Sequence, residues 1–223
     1  MTYDHQWARM RAADPGHSDR YARRWVDLVE SGKDIDGEAR LVDALAPRGA
    51  AILDAGCGQG RTGGYLAARG HHVVGVDLDD VLIGHARRAF PRAAWYVRDL
   101  AALEPDLVPA GATGFDLIVS AGNVLTFLDP AARVPALTRL VGLLAPGGRL
   151  ITGFGAGRDY DFAAYADDLA TAGARIDARW STWNAHPFEA DSDFLVCLSS
   201  ADTDRAPDTP TDATTTGATP EAV

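Results

Sequence analysis

The sequence is poor in cysteine and lacks long apolar runs, and both deficits restrict what the protein is. Its 223 residues include two cysteines, Cys57 and Cys197, too few for the disulfide framework of a small secreted domain. No segment approaches the roughly 18 to 20 apolar residues that a membrane-spanning helix needs. Charged residues near the N-terminus interrupt the apolar stretch that a signal peptide would require. We therefore predict a cytoplasmic protein with reduced thiols and no membrane association.

Positive charge is also scarce. The chain has 21 Lys and Arg residues against 31 Asp and Glu residues, a formal net charge of −10. An acidic protein repels polyanions, which argues against nucleic acid as a partner. With 47% hydrophobic residues, the chain is long enough for one substantial core but too short for two full domains. We expect a single domain of catalytic size.

The composition divides the chain into three parts. Residues 1–47 are predicted to form an N-terminal helical cap segment, in which Tyr21 and Trp25 share one helical face. This segment is either a lid over a ligand or a packing helix. Residues 48–200 form the main domain. Residues 201–223 are acidic and rich in Thr, Pro and Ala, and they lack the large apolar side chains that would offset the entropy of ordering. We predict a disordered tail there.

Within the main domain, apolar runs of strand length alternate with segments that can form helices, and this alternation predicts an α/β fold with a mostly parallel sheet. The five runs are 51–53, 72–76, 94–97, 115–119 and 149–154. Two further strands, near 174–182 and 193–199, are joined by a link too short for a helix, so we expect them to pair as an antiparallel hairpin. A helix before the fifth run is expected to begin near residue 133, because Pro135 would be poorly tolerated deep inside it.

The loop after the first strand is the most informative stretch of the sequence. Gly56, Gly58 and Gly60 alternate there, which allows a tight turn, close approach of the backbone to a ligand and an exposed helix N-terminus. Gly58, Gly60 and Gly63 also fit the G-x-G-x-x-G dinucleotide-binding pattern, which is weak evidence alone. Asp54 immediately precedes the glycines and would repel a pyrophosphate, whereas S-adenosylmethionine (SAM) would bring an α-ammonium and a sulfonium. Charge therefore favours SAM over a dinucleotide.

Two more acidic residues end the following strands. Asp77 ends the second strand, where a carboxylate accepts hydrogen bonds from ribose hydroxyls in either cofactor class. Asp99 ends the third strand and can accept a hydrogen bond from an adenine amine, while the Leu100 amide donates to a ring nitrogen. The alternative role for Asp99 is a helix N-cap. Because open α/β sheets bind ligands at the carboxyl ends of their strands, the three acids together indicate an adenosine-containing ligand.

These motifs resemble those of the class I SAM-dependent methyltransferases over about residues 48–200. The resemblance rests on LDAGCGQG at 53–60, VGVD at 74–77, RDL at 98–100, FDLIV at 115–119 and LAPGGRL at 144–150. It implies a Rossmann-like three-layer sandwich with seven strands in the order 3-2-1-4-5-7-6, strand 7 being antiparallel. It also implies SAM as cofactor and S-adenosylhomocysteine (SAH) as product. The resemblance identifies neither the acceptor nor the acceptor atom, and we expect a small-molecule methyl acceptor. The residues that it places at the cofactor are Asp54, Ala55, Gly56, Cys57, Gly58, Gly60, Asp77, Leu78, Asp99, Leu100, Ala121, Gly122 and Asn123.

The catalytic residues are less well defined. By the resemblance, Gly122 and Asn123 follow the fourth strand beside the acceptor. A general base is needed only if the acceptor loses a proton on transfer, and the candidates are then His17, Tyr160 and His186, each with a plain surface or loop role as the alternative.

Three other side chains have open roles, and no metal site is predicted. Arg61 either reaches the cofactor carboxylate or is exposed, and Tyr21 and Trp25 either shield the sulfonium or pack in the core. The alternatives to methyl transfer are a non-catalytic SAM- or nucleotide-binding protein and a nicotinamide-dependent oxidoreductase. The position of Asp54 argues against the oxidoreductase.

Overall fold

A computed structural model of the chain describes residues 3–202. Of the predicted tail at 201–223, residues 203–223 lie outside the described residues. The strands are β1 (Ala51–Ala55), β2 (His72–Asp77), β3 (Ala94–Val97), β4 (Phe115–Ser120), β5 (Leu144–Gly155), β6 (Ala174–Trp180) and β7 (Phe194–Ala201). The helices are α1 (Gln6–Ala13), α2 (His17–Glu30), α3 (Gly37–Leu45), α4 (Arg61–Ala68), α5 (Asp80–Ala89), α6 (Pro130–Gly142) and α7 (Phe162–Thr171). Within these residues, every helix is too short or too polar to cross a membrane.

The seven strands form one sheet in the order β3-β2-β1-β4-β5-β7-β6. Strand β7 is antiparallel to both of its neighbours, and the other neighbouring pairs are parallel. This arrangement confirms the predicted fold, including the hairpin formed by β6 and β7. Because β1 to β4 run in the same direction, their carboxyl ends share one edge of the sheet.

Helices cover both faces of the sheet. Successive residues of β1 point to opposite faces, so Leu53 packs in the layer with α6 and α7, while Ile52 packs in the layer with α3 and α4. Each of these two side chains is 0% exposed. The result is the expected three-layer sandwich, and the rigid sheet between the helices holds its carboxyl edge in place.

The start of α6 corrects one prediction. The helix begins at Pro130 and contains Pro135, so the expected start near residue 133 was wrong. Two local signals set the true start: the Asp129 carboxylate accepts a hydrogen bond from the Ala131 amide at 3.0 Å, and Pro130 stands at the first helical position, where a missing N–H costs nothing. The buried face of the helix, which includes Leu137, compensates for the hydrogen bond lost at Pro135.

The N-terminal segment contains three helices with two different positions. Helix α3 belongs to the core, since Ala39 and Val42 are almost completely buried against the sheet. Helices α1 and α2 extend instead over the carboxyl edge, where Trp7 and Tyr21 line a cavity. The part of residues 1–47 that can act as a cap is therefore the part before α3.

Candidate active site

A cleft with two adjoining compartments runs along the carboxyl edge of the sheet. The larger compartment contains Asp77 and Asp99 in its wall. The smaller compartment contains Asp54 and Arg61 in its wall. Most of the residues expected at the cofactor line one or both compartments: Asp54, Gly56, Cys57, Gly58, Asp77, Leu78, Asp99, Leu100, Ala121 and Gly122. Of the other expected residues within 3–202, Ala55, Gly60 and Asn123 line neither.

The glycine loop forms the floor of the cleft. Gly56, Gly58 and Gly60 have φ angles of 82°, 53° and 86°, in the left-handed region that favours glycine. A Cβ atom at Gly56 would lie 2.4 Å from a methyl carbon of Val124, so a side chain there would collide with the opposite wall. The left-handed φ angles and this close contact explain why glycine occupies these positions.

Asp54 is a buried carboxyl group at the base of the smaller compartment. It is 3% exposed, and its Oδ2 accepts a hydrogen bond from the Gly63 amide at 2.8 Å. Burial raises the pKa of Asp54 to about 7, against the lowering effects of that hydrogen bond and of Arg61. At neutral pH the group is only partly ionised, so a cation placed beside it would favour the ionised carboxylate and lower its pKa.

Asp77 joins the end of β2 to the glycine loop. Its Oδ2 accepts a hydrogen bond from the Gly58 amide at 2.8 Å, and its Oδ1 accepts one from the Asp79 amide at 2.9 Å. Burial raises the pKa of Asp77 to about 6, with both hydrogen bonds acting in the opposite direction. A carboxylate has about four acceptor positions, so Asp77 retains capacity for the hydroxyl groups of a ligand.

Asp99 has the capping role considered from the sequence, and it also lines the cleft. Its Oδ1 caps the following turn by accepting a hydrogen bond from the Ala101 amide at 2.9 Å, and the residue also lines the larger compartment. Its Oδ2 lies 3.1 Å from Nε2 of His5. The Asp129 amide donates to Nδ1 of the same ring at 3.1 Å, so Nε2 carries the proton and donates to Asp99. His5 is 4% exposed, and nothing in the sequence pattern marked it.

Helix α1 lies across the mouth of the larger compartment. The indole N–H of Trp7 donates to Oδ2 of Asp79 at 2.9 Å, and Arg11 pairs with Asp80 at 2.6 Å, both at the start of α5. The Trp7 ring packs edge-to-face against Tyr21 and Phe127, with ring centroids 5.2 and 5.7 Å apart. The N-terminal segment thus supplies an aromatic roof that sequence reasoning had located only in part, at Tyr21 and Trp25.

Arg61 is neither exposed nor free. Its guanidinium makes two parallel hydrogen bonds with the Glu38 carboxylate, each 2.9 Å long, and it lies 4.3 Å from the centre of the Trp25 ring. The side chain is 12% exposed. The charge at this end of the smaller compartment is therefore balanced by a neighbouring acid.

The proposed catalytic side chains lie elsewhere: within residues 3–202, neither compartment is lined by Asn123, His17, Tyr160 or His186. The Asn123 side-chain oxygen accepts a hydrogen bond from the Gly155 amide at 2.8 Å. The Tyr160 hydroxyl donates to Asp168 at 2.8 Å, and burial raises the pKa of Tyr160 far above its usual value. His17 packs against Trp7, with ring centroids 4.8 Å apart, and His186 is exposed in the β6–β7 loop.

Comparison with known proteins identifies the same fold and chemistry. A family model described as a methyltransferase domain matches residues 52–148. A TehB-like SAM-dependent methyltransferase of known structure from Corynebacterium glutamicum is 47% identical, and the alignment covers 84% of this chain and 100% of that one, with a TM-score of 0.79.

Curated relatives match over shorter regions. An uncharacterised methyltransferase from Mycobacterium tuberculosis is 36% identical over 113 residues, which are 49% of this chain and 53% of the relative. The matched region thus spans about half the length of that relative. The trans-aconitate 2-methyltransferase of Methylobacterium radiotolerans is 34% identical over 175 residues, covering 63% of each chain.

Proposed function

Because the chain belongs to the class I SAM-dependent methyltransferases, we propose that it methylates a small-molecule acceptor by in-line displacement. The observation that carries the proposal is the covered cleft: α1 and α2 roof the compartments that contain the three strand-end carboxylates. A roofed cavity admits a small acceptor more readily than a macromolecule. The net charge of −10 also disfavours nucleic acid.

The residues of the cleft fit the chemistry of SAM. Its α-ammonium and sulfonium are cationic, and the smaller compartment holds the buried carboxyl of Asp54. Its ribose and adenine donate hydrogen bonds, and the larger compartment holds Asp77 and Asp99. At Gly58, the nearest atom to the position of a Cβ is Cε1 of Tyr21, 3.7 Å away, so the missing side chain leaves room beside the loop. When bound, SAM supplies a methyl group activated by its positively charged sulfur.

In this proposal, each residue that contacts the cofactor has a distinct role. Asp77 accepts hydrogen bonds from the ribose hydroxyls, Asp99 and the Leu100 amide hold the adenine, and Asp54 holds the α-ammonium. Orientation of this kind, together with exclusion of water, is worth about 7 to 11 kcal/mol in favourable cases. We assign no general base, because the side chains considered for that role lie outside both compartments.

The N-terminal cap is part of this proposal. The hydrogen bond from His5 to Asp99 and the one from Trp7 to Asp79 tie the first helix to the adenine end of the cleft. In this position α1 retains the cofactor and excludes water. Opening of these contacts would admit and release ligands.

The proposal is tested by incubating the protein and isotopically labelled SAM with a metabolite extract. The extract is first separated into anionic, neutral and cationic fractions, and mass spectrometry identifies what gains the label. The Asp77→Ala variant is the matched control. We expect a labelled small molecule in one of the three fractions. Label only in protein or nucleic acid would contradict the proposal.

A calorimetric titration tests the two alternative classes. SAH and NAD are titrated separately into the protein. Affinity for SAH without affinity for NAD is expected. Binding of NAD alone would instead support the nicotinamide oxidoreductase, whereas SAH binding without any labelled product across all fractions would support a non-catalytic binding protein.

A further inference from the structure

The covalent structure of SAM fixes where its reacting centre lies in the cleft, provided that the proposed cofactor site is correct. The sulfonium joins the adenosine and methionine parts of the molecule. The larger compartment contains Asp77 and Asp99, so in the proposed site it holds the adenosine part. The smaller compartment contains Asp54, so it holds the methionine part. The sulfonium therefore lies where the two compartments meet.

Within residues 3–202, five residues line both compartments: Tyr21, Gly56, Gly58, Gly122 and Val124. Three of them have no side chain, and Val124 is aliphatic. Tyr21 is thus the aromatic and polar side chain at the junction. It belongs to α2, outside the region that matches the methyltransferase family model.

Neighbouring rings hold Tyr21 in this position. It packs edge-to-face against Trp7 on one side and Trp25 on the other, with interplanar angles of 80° and 73°. Its Cε1 is 3.7 Å from the position that a Cβ atom of Gly58 would occupy, so the ring lies over the glycine loop. Burial also raises the pKa of Tyr21, which keeps the phenol neutral.

The structure distinguishes Tyr21 from its neighbour Trp25. Of the two compartments of the cleft, Trp25 lines the smaller one and not the larger, and the Arg61 guanidinium already lies over its ring, 4.3 Å from the centre. Aromatic rings attract cations electrostatically, and this attraction grows as water is excluded. We propose that Tyr21 is a catalytic residue that packs against the sulfonium of bound SAM and helps to hold its methyl group toward the acceptor.

The test compares a cationic and a neutral ligand of nearly the same shape. SAM carries a sulfonium, whereas SAH has an uncharged thioether at the same position. We expect Tyr21→Leu to weaken SAM binding by about 2- to 30-fold, the range of a cation–π contact, and to change SAH binding much less. Tyr21→Phe keeps the ring and should preserve the ratio of the two dissociation constants. Isothermal titration calorimetry measures both dissociation constants for the unmodified protein and for each variant.

Two further variants serve as controls. Tyr65→Leu removes an aromatic ring from α4 that packs against Arg69 and lines neither compartment, and it should leave the SAM to SAH ratio unchanged. Tyr21→Met keeps the bulk without the ring, and it replaces the leucine variant if circular dichroism shows that the leucine variant is unfolded. Asp77→Ala reports on the cofactor site itself, since it should weaken both ligands.

The outcomes separate this inference from the proposed function. Equal weakening of SAM and SAH by the Tyr21 variants would show that Tyr21 only packs, and it would overturn the inference. If Asp77→Ala changed neither affinity, the cofactor site itself would be misplaced, and the inference would fall with it. Selective loss of SAM binding in Tyr21→Leu or Tyr21→Met, with Tyr65→Leu unaffected, supports it.

Discussion

Acidification should weaken SAM binding through the protonation of Asp54. Burial raises the pKa of this carboxyl group to about 7 in the free protein, and in the proposed site the α-ammonium of SAM would stabilise its ionised form. About three quarters of the group is ionised near pH 7.5, against about 3% near pH 5.5. If binding requires the carboxylate, the affinity falls about 25-fold over this interval. The sign follows from the raised pKa, since affinity increases as pH rises through about 7.

The measurement is a calorimetric titration of SAM between these two pH values. The upper limit is chosen because α-amino groups lose their proton near pH 8. Repeating each titration in two buffers with different ionisation enthalpies gives the number of protons exchanged. We expect proton release on binding in the lower half of the range. Asp54 is mostly protonated there in the free protein, and SAM binding favours its ionised form, so the proton passes to the buffer.

Asp54→Asn is the decisive comparison. Asp77, whose pKa burial raises to about 6, adds its own weaker dependence, and the asparagine variant retains that part alone. The variant should bind SAM weakly at every pH and lose most of the slope. If the variant and the unmodified protein showed the same slope, Asp54 would not face a cation and the electrostatic reasoning would fail. Circular dichroism at each pH checks that both proteins remain folded.

Three other predictions follow from the same contacts. Asp77→Ala should weaken SAM binding by about 1.5 to 3 kcal/mol through lost charge-assisted hydrogen bonds, and an unchanged dissociation constant by calorimetry would contradict this. His5→Ala should weaken SAM binding by about 0.5 to 1.5 kcal/mol and speed its release in stopped-flow experiments; equal release rates would exclude retention by α1. Gly64→Ala should lower the free energy of unfolding in urea by about 1 to 3 kcal/mol, because its Cβ would lie 2.2 Å from Phe90. In the matched control Gly142→Ala, no atom other than those of the adjacent residues and the backbone of its own helix lies within 4 Å of the new Cβ, and stability should rise by about 0.4 to 1 kcal/mol; a loss as large as that of Gly64→Ala would refute the packing argument.

Much of the fold and the outline of the site were predictable from short stretches of sequence. Strand length and alternation with helical segments predicted the sheet, and the seven-stranded order implied by the resemblance was confirmed. The glycine loop was recognisable because backbone conformation there is a property of the glycines themselves. The acids Asp54, Asp77 and Asp99 end adjacent strands, and parallel strands bring such positions to one edge. The start of α6 was missed although its signal, Asp129 followed by Pro130, is equally local.

Tertiary structure decided everything that depends on contacts between distant residues. His5 and Asp99 are 94 residues apart in the chain, and Trp7 and Asp79 are 72 apart, so no periodicity or spacing could pair them. Burial set the protonation of Asp54, because desolvation depends on all the atoms packed around a group. The same packing places Tyr21 at the junction of the compartments, whereas Asn123 and Tyr160 line neither compartment. The sequence by itself determined which residues form the sheet edge, and the three-dimensional packing determined which of its side chains face the cleft.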